Sequence, residues 1–280
     1  MIDGHTHAIS AARRAAGPIP GGIEIPPRCT AEDLLGTLDE HAVDRAVVVG
    51  VVEDEPYLAR SLRRHHDRLL GVGLLRPEFT ADPVDELRRQ VDEVGVRGIR
   101  LRGLGPAGAP DAEALPLFPL LLRLEEQRLP LWLLAGDDQL SLLARVLDLV
   151  PGLTVVLNHF GAAPARHRAG ETGPPRLAPV DDERMAQVRA LARHPGVHVL
   201  LSGQYALSAG GPPHDDLVTA ARSLHGAYGA RRLIWGSDFP FVAGADYAAQ
   251  RDWVDLALPY LSDVERESVL GGNVARLFPD

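Results

Sequence analysis

The chain has 280 residues, of which 45% are hydrophobic, 24% charged and 5% aromatic, with a formal net charge of −9; that is the profile of an ordinary folded globular protein with room for a sizeable core. The negative balance and the absence of any basic run exclude a surface built to neutralise nucleic-acid phosphates, and no apolar run approaches the roughly 18 to 20 residues of a membrane span. Cys29 is the only cysteine and all 29 basic residues are arginine, so an intrachain disulfide, a cysteine-rich zinc site, a Schiff-base or P-loop lysine and a carboxylated lysine bridge are all excluded.

The chain opens Met1-Ile2-Asp3-Gly4-His5 and lacks the basic start and apolar stretch of a signal peptide, so a cytoplasmic location is expected. From there, short apolar runs alternate with amphipathic segments, the pattern of repeated strand-helix units on a parallel sheet. Strands are predicted at Met1 to His7, Arg45 to Val52, Leu69 to Leu75, Val96 to Leu101, Pro130 to Ala135, Thr154 to Asn158, Val197 to Ser202 and Arg232 to Gly236. Between them, helices are predicted at Thr30 to His41, Pro56 to Asp67, Pro83 to Val94, Leu115 to Arg128, Gln139 to Val150, Asp181 to His194, Asp215 to Tyr228 and Tyr247 to Leu258. Asp82 before Pro83 offers a capping side chain ahead of a first-turn proline, and Ser262-Asp263-Val264-Glu265 has the spacing of a capping box that starts a last helix. Eight such units close a barrel, so the expected fold is α/β, a (β/α)8 TIM barrel in a single domain over residues 1–280.

Two Pro- and Gly-rich stretches, 8–29 and 161–180, interrupt this rhythm, and each follows a strand that ends in histidine. Loops after the strands build the active site of such a barrel, so both insertions are expected to wall or cover the pocket.

Asp3-Gly4-His5-Thr6-His7 carries the sharpest chemical signal. Residues two apart on a strand share a face, so His5 and His7 are expected to point together into the barrel mouth, where two imidazoles can hold a metal or polarise a carbonyl. Asn158-His159-Phe160-Gly161 closes the sixth strand and makes His159 a third candidate. Gly236-Ser237-Asp238-Phe239-Pro240 closes the eighth, which barrel closure brings beside the first, so Asp238 should face His5 and His7. Arg100 and Arg102 end the fourth strand with one parity, and an arginine aimed into the mouth calls for an anionic partner, the alternative for Arg102 being a surface residue beyond the strand end; Arg76 and Ser202 end the third and seventh strands and complete the expected substrate-binding set. His41, His65, His66, His194 and His225 sit on helices or at their ends, where histidine is ordinary, and His198 lies toward the stability face of its strand.

These segments, with Gly95-Val96-Arg97-Gly98-Ile99-Arg100-Leu101 and the closing Gly272-Asn273-Val274-Ala275-Arg276-Leu277-Phe278, resemble the amidohydrolase superfamily, in its amidohydrolase-2 branch, over nearly the whole chain. The resemblance implies a barrel in which the strand-one histidines and the strand-eight aspartate surround either one divalent metal or a substrate carbonyl. In the branch's metal-dependent decarboxylases and many of its hydrolases, a further histidine ligand ends strand five. This chain has Leu133-Leu134-Ala135-Gly136 there, and Leu134 cannot coordinate zinc.

That departure points to lactonases of the 2-pyrone-4,6-dicarboxylate, sugar-lactone and muconolactone kind, which the segment Leu207-Ser208-Ala209-Gly210-Gly211-Pro212-Pro213 also resembles. In this reading His5, His7 and His159 polarise the lactone carbonyl, Asp238 takes the proton of the attacking water, and no cofactor is required. The alternatives are a weakly held Zn²⁺ on His5, His7 and Asp238 serving ester or amide hydrolysis, and a metal-dependent decarboxylase of an aromatic or muconate-like acid. The expected partner is a small anionic molecule, with no nucleic acid and no membrane; a homo-oligomer stays open.

Overall fold

All eight predicted strands form in the computed structural model, which describes residues 1–106, 108–109, 111–136, 139–242 and 247–279. They are β1 (Ile2–Thr6), β2 (Arg45–Val49), β3 (Leu69–Leu74), β4 (Ile99–Leu101), β5 (Leu131–Leu133), β6 (Val155–Leu157), β9 (Val197–Leu201) and β10 (Leu233–Trp235), parallel and hydrogen-bonded in that order. The short antiparallel pair β7 (Pro164–Ala165) and β8 (Arg176–Leu177) lies in the loop between β6 and β9. Thr6 bridges Phe239 to close the barrel, so the architecture is the expected TIM barrel.

Alternation along each strand sorts the residues between two cores. Val47, Val49, Leu70, Val72, Trp132, Val156, Leu200 and Ile234 fill the barrel interior, and Val274 and Phe278 join them from the C-terminal helix Asn273–Leu277 and the residue after it. Trp132 and Phe278 meet at 5.6 Å between ring centroids, which plugs the bottom and leaves the strand C-termini as the open end. The opposite parity, with Ala46, Val48, Ile99, Leu131, Leu133, Val155 and Leu157 among it, packs on the helices.

The helices occupy the predicted segments, most with shorter ends, although the one predicted from Pro56 begins at Glu55. The stretch Pro83 to Val94 is an α-helix over Pro83–Arg89 followed by a π-turn that ends at Gly95 in the left-handed region, φ 85°. Asp82 caps it, accepting the amides of Val84 and Asp85, and Ser262 with Glu265 forms the predicted capping box. No helix among the described residues is long and apolar enough to cross a membrane.

The two long loops contain structure that composition did not signal. A short helix, Ala11–Ala15, is capped by Ser10, whose hydroxyl and amide both donate to Asp54. Buried Arg13 donates to the carbonyls of Val52, Gly17 and Pro18, so one guanidinium ties the first loop to the end of β2. Ile23 then bridges Gly173, with the amides of Glu24 and Gly173 bonded to Gly173 and Gly22 carbonyls at 2.8 and 2.9 Å. The loops after β1 and β6 are thereby joined over the barrel mouth.

Candidate active site

A bulge in β1 aims its histidines. Asp3 pairs with Ala46 and Thr6 with Val48, so three steps on β1 answer two on β2. Strict alternation from Ile2, which faces the inner core, would place His5 and His7 outside. The extra residue reverses the parity, and Thr6 turns outward with its hydroxyl donating to the Val47 carbonyl at 2.9 Å. The rings of His5 and His7 stand 5.1 Å apart, and His159 lies 5.0 Å from His5.

His159 and Asp238 reach the same point from strand ends that leave the extended region. Their φ angles are 50° and 63°, conformations that cost an L-residue about 1–3 kcal/mol each and cluster where geometry serves function. Two glycines make room: a Cβ on Gly236 would lie 2.8 Å from that of His5, and one on Gly203, itself at φ +72°, would lie 2.7 Å from His159 Nδ1.

Asp238 Oδ1 sits 3.4 Å from His5 Nε2 and 3.5 Å from His7 Nε2. Its other oxygen accepts the Tyr205 hydroxyl at 2.7 Å. Burial alone would raise the Asp238 carboxyl, but the electrostatic pull of the neighbouring His159, His5 and His7 rings outweighs it and holds the carboxyl well below the usual carboxylate range. Burial pushes His5 well below its ordinary value and His159 down to about 4, against the pull of Asp238 in both cases. The cluster at neutral pH is therefore an ionised carboxylate facing uncharged imidazoles at His5 and His159.

His7 differs. Its Nδ1 lies 2.8 Å from the Val49 carbonyl, which can only accept, so Nδ1 carries a proton. The lone-pair position of Nε2 then faces Asp238 Oδ1, and two acceptors that close need a cation between them: a proton on Nε2 or a metal ion. His5 Nδ1 and Nε2 and Asp238 Oδ1 are buried without hydrogen-bond partners, and one ligand atom each from His5, His7 and Asp238 lies within 4.8 Å of the others. Two imidazoles and a carboxylate fit a divalent metal. Leu134, buried and on the parity of inward-facing Trp132, brings no fourth ligand.

The other predicted residues divide into two tiers. Arg100, opposite Trp132 in the ladder, is buried, its Nε has no partner and no described carboxylate lies within ion-pair distance. Burial and the neighbouring Arg102 push its guanidinium down to about 9, with Asp238 pulling the other way. Ser202 is buried beneath His159 and its hydroxyl meets Nδ1 at 2.9 Å, so it orients that ring instead of lining the open cavity. Arg76 and Arg102 line a cavity of about 550 Å³ at the rim, together with Arg166 and Pro20 from the two long loops; Arg76 also pairs with Glu78 at 3.5 Å.

Sequence reasoning missed Tyr205, which follows β9 on the short helix Gln204–Leu207, because neither spacing nor composition distinguishes a tyrosine beyond a strand end. It also passed over the side chain of Asn158, which is buried with both amide atoms unpartnered; its place two residues beyond inward-facing Val156 was the available signal.

The family model described as Amidohydrolase matches residues 2–279. A 4-sulfomuconolactone hydrolase from Rhizobium radiobacter is 27% identical over 270 residues, covering 90% of this chain and 81% of that protein. An L-fucono-1,5-lactonase from Burkholderia ambifaria is 40% identical over 96 residues, 31% of this chain and 32% of its own. Among solved structures, a protein from Pseudomonas putida provisionally assigned as a 2-pyrone-4,6-dicarboxylic acid hydrolase superposes with a TM-score of 0.74 at 27% identity, covering 99% of this chain and 96% of its own.

Proposed function

Because the chain belongs to the amidohydrolase family and is a hydrolase of that lineage, we infer that it opens a lactone that carries an acidic substituent. The observation that carries this reading is the convergence of His5, His7, His159 and an ionised Asp238 beside a buried Arg100 that has no carboxylate partner among the described residues. A desolvated guanidinium of this kind recognises an anion. In the rim cavity Arg76, Arg102 and Arg166 outnumber Glu78, a net positive lining that steers an anionic substrate inward.

In this mechanism the lactone carbonyl lies against His5, His7 and His159; ring N–H groups of His5 and His159 stabilise the charge that develops on its oxygen, and His7 adds to them in the form protonated on Nε2. Asp238 accepts a proton from water as the water oxygen attacks the carbonyl carbon. The ring C–O bond then breaks, and the proton passes from Asp238 to the departing ring oxygen. Tyr205 holds Oδ2 of Asp238, which leaves Oδ1 to face the reacting water. A divalent metal held by His5, His7 and Asp238 would supply Lewis-acid polarisation at the same place. With Leu134 where a fourth protein ligand would stand, the proposed chemistry rests on the three imidazoles.

The test is a pH-indicator screen of carboxylated, sulfonated and neutral lactones with wild-type protein and Asp238→Asn. Ring opening of an acidic lactone by the wild type, slowed about 10² to 10⁴-fold in the variant, is the expected result. Turnover of aromatic acids with loss of CO₂ and no lactone opening would replace the hydrolase reading with a decarboxylase one.

A further inference from the structure

The site depends on the place where the barrel is most weakly joined. Every neighbouring pair from β1 through β10 shares a ladder, but among the described residues β1 and β10 themselves share none. Beyond the strand ends the seam is closed by the Thr6 to Phe239 bridge and by two backbone bonds, His7 N–H to the Phe239 carbonyl at 2.6 Å and Asp238 N–H to the His5 carbonyl at 2.8 Å. His5 and His7 stand on one side of this seam and Asp238 on the other.

A further connection runs along the outer face. Asp3 is fully buried, and its Oδ1 accepts the amide of Ser237 across the seam at 2.9 Å and that of His5 within β1 at 3.2 Å. Its Oδ2 accepts the hydroxyl of Tyr247 at 2.7 Å. Tyr247 begins the helix Tyr247–Ala257, and its ring stacks on His41 of the neighbouring unit at 4.9 Å. One carboxylate therefore joins the first strand, the residue before Asp238 and the last helix of the barrel ring. An apolar residue would fill this outward position more cheaply than a desolvated carboxyl, and burial pushes that carboxyl up to about 6 despite its donors.

We propose that Asp3 is a positioning residue: it fixes the register of the closing seam and through it the 3.4 and 3.5 Å separations of Asp238 from His5 and His7. Asp3 lies on the face of β1 opposite the imidazoles and touches no reacting atom. The kinetic consequence rests on the lactonase reading, whereas the structural consequence does not. Substrate recognition by Arg100, Arg76 and Arg102 belongs to β3 and β4, a quarter-turn or more from the seam, so loss of Asp3 should leave KM largely alone.

Asp3→Ala and Asp3→Asn in the full chain test this. Asparagine keeps an oxygen that can accept both backbone amides, and the Tyr247 hydroxyl can accept from its amide nitrogen; alanine keeps nothing. Amide hydrogen exchange is read at His7 and Asp238, which bond across the seam without touching Asp3, and at Leu131 and Leu134 in the β4–β6 ladders as controls. In Asp3→Ala the seam amides should exchange at least about tenfold faster with the controls unmoved, and Asp3→Asn should restore most of the protection. For the lactone found by screening, kcat of Asp3→Ala should fall about tenfold or more with KM within about twofold, and Asp3→Asn should recover it.

Unchanged seam protection in Asp3→Ala, an equal loss at the control amides, or seam opening without a fall in kcat would each overturn the proposal. If the wild type opens no lactone, the functional reading fails on that assay while exchange still decides the seam. Should Asp3→Ala not fold, Tyr247→Phe removes the hydroxyl that donates to Oδ2 and also meets the Ser237 side chain, and should produce the same pattern at a few-fold amplitude; no change there would count against Asp3.

Discussion

Replacing Arg100 by methionine should make the free protein more stable and its substrate binding weaker. Burial, with the neighbouring Arg102, lowers the Arg100 guanidinium from 12.5 to about 9, so the charged form is held at a cost of several kcal/mol. Part of it is returned when an anion enters, so the folded enzyme without substrate carries the charge at a loss. Methionine fills a similar apolar volume without the charge, and relief of an unpaired buried ion should raise stability by about 1–4 kcal/mol in urea unfolding. In the opposite direction, loss of a bidentate guanidinium–carboxylate contact worth about 1.5–3 kcal/mol should raise KM for an acidic lactone about ten- to a hundredfold with kcat little changed. Arg100→Lys should recover only part of this, because an ammonium lacks the planar fork, and a neutral lactone of the same ring should show no effect. A variant that is less stable, or equally impaired on charged and neutral lactones, would show that Arg100 is a packing residue and remove the argument for an anionic substrate.

Other outcomes follow from the cluster. Tyr205→Phe deletes a 2.7 Å bond to an ionised carboxylate, worth about 1.5–3 kcal/mol or one to two pKa units; the Asp238 carboxyl should move up by that amount in a carbon-detected NMR titration while staying ionised at pH 7, and an unmoved carboxyl would contradict the assigned bond. Chelator-treated protein should keep lactone-opening activity, and Leu134→His should tighten Zn²⁺ binding at least about tenfold in a competition titration by adding a fourth ligand; unchanged affinity would mean that the end of β5 does not face the triad. Burial lowers His159 and His198 from 6.5 to about 4, so the stability from keeping them neutral is complete above pH 6.5 and lost as pH falls toward 4. His198→Phe should remove at most about 3 kcal/mol of that acid sensitivity in urea titrations; curves parallel to wild type would refute the assignment.

Period-two and period-3.6 patterns were enough to locate all eight barrel strands and the helices between them, because each segment has one face on a core. The site was legible where a residue type and a strand end coincide, as at His5, His7, His159 and Asp238. What alternation could not supply was the bulge between Asp3 and Thr6, since an extra residue leaves no mark in composition. The docking of Ile23 on Gly173 and the bond from Tyr205 to Asp238 lie between segments distant in sequence. Arg102 and Arg76 stand at the rim, for Arg102 the alternative that its place beyond the strand end left open, because parity gives the face of a strand and not the height at which a side chain ends.

The account predicts hydrolysis at a carbonyl, and isotope transfer from water reads that step itself. When the wild type opens an acidic lactone in H₂¹⁸O under single-turnover conditions, one ¹⁸O should appear in the newly formed carboxylate, with no ¹⁸O in the released hydroxyl and no CO₂. Asp238→Asn should give the same labelling about 10² to 10⁴-fold more slowly. Label in the hydroxyl oxygen, or CO₂ evolved from an acid substrate without incorporation of label, would contradict attack of Asp238-activated water on a carbonyl held by His5, His7 and His159.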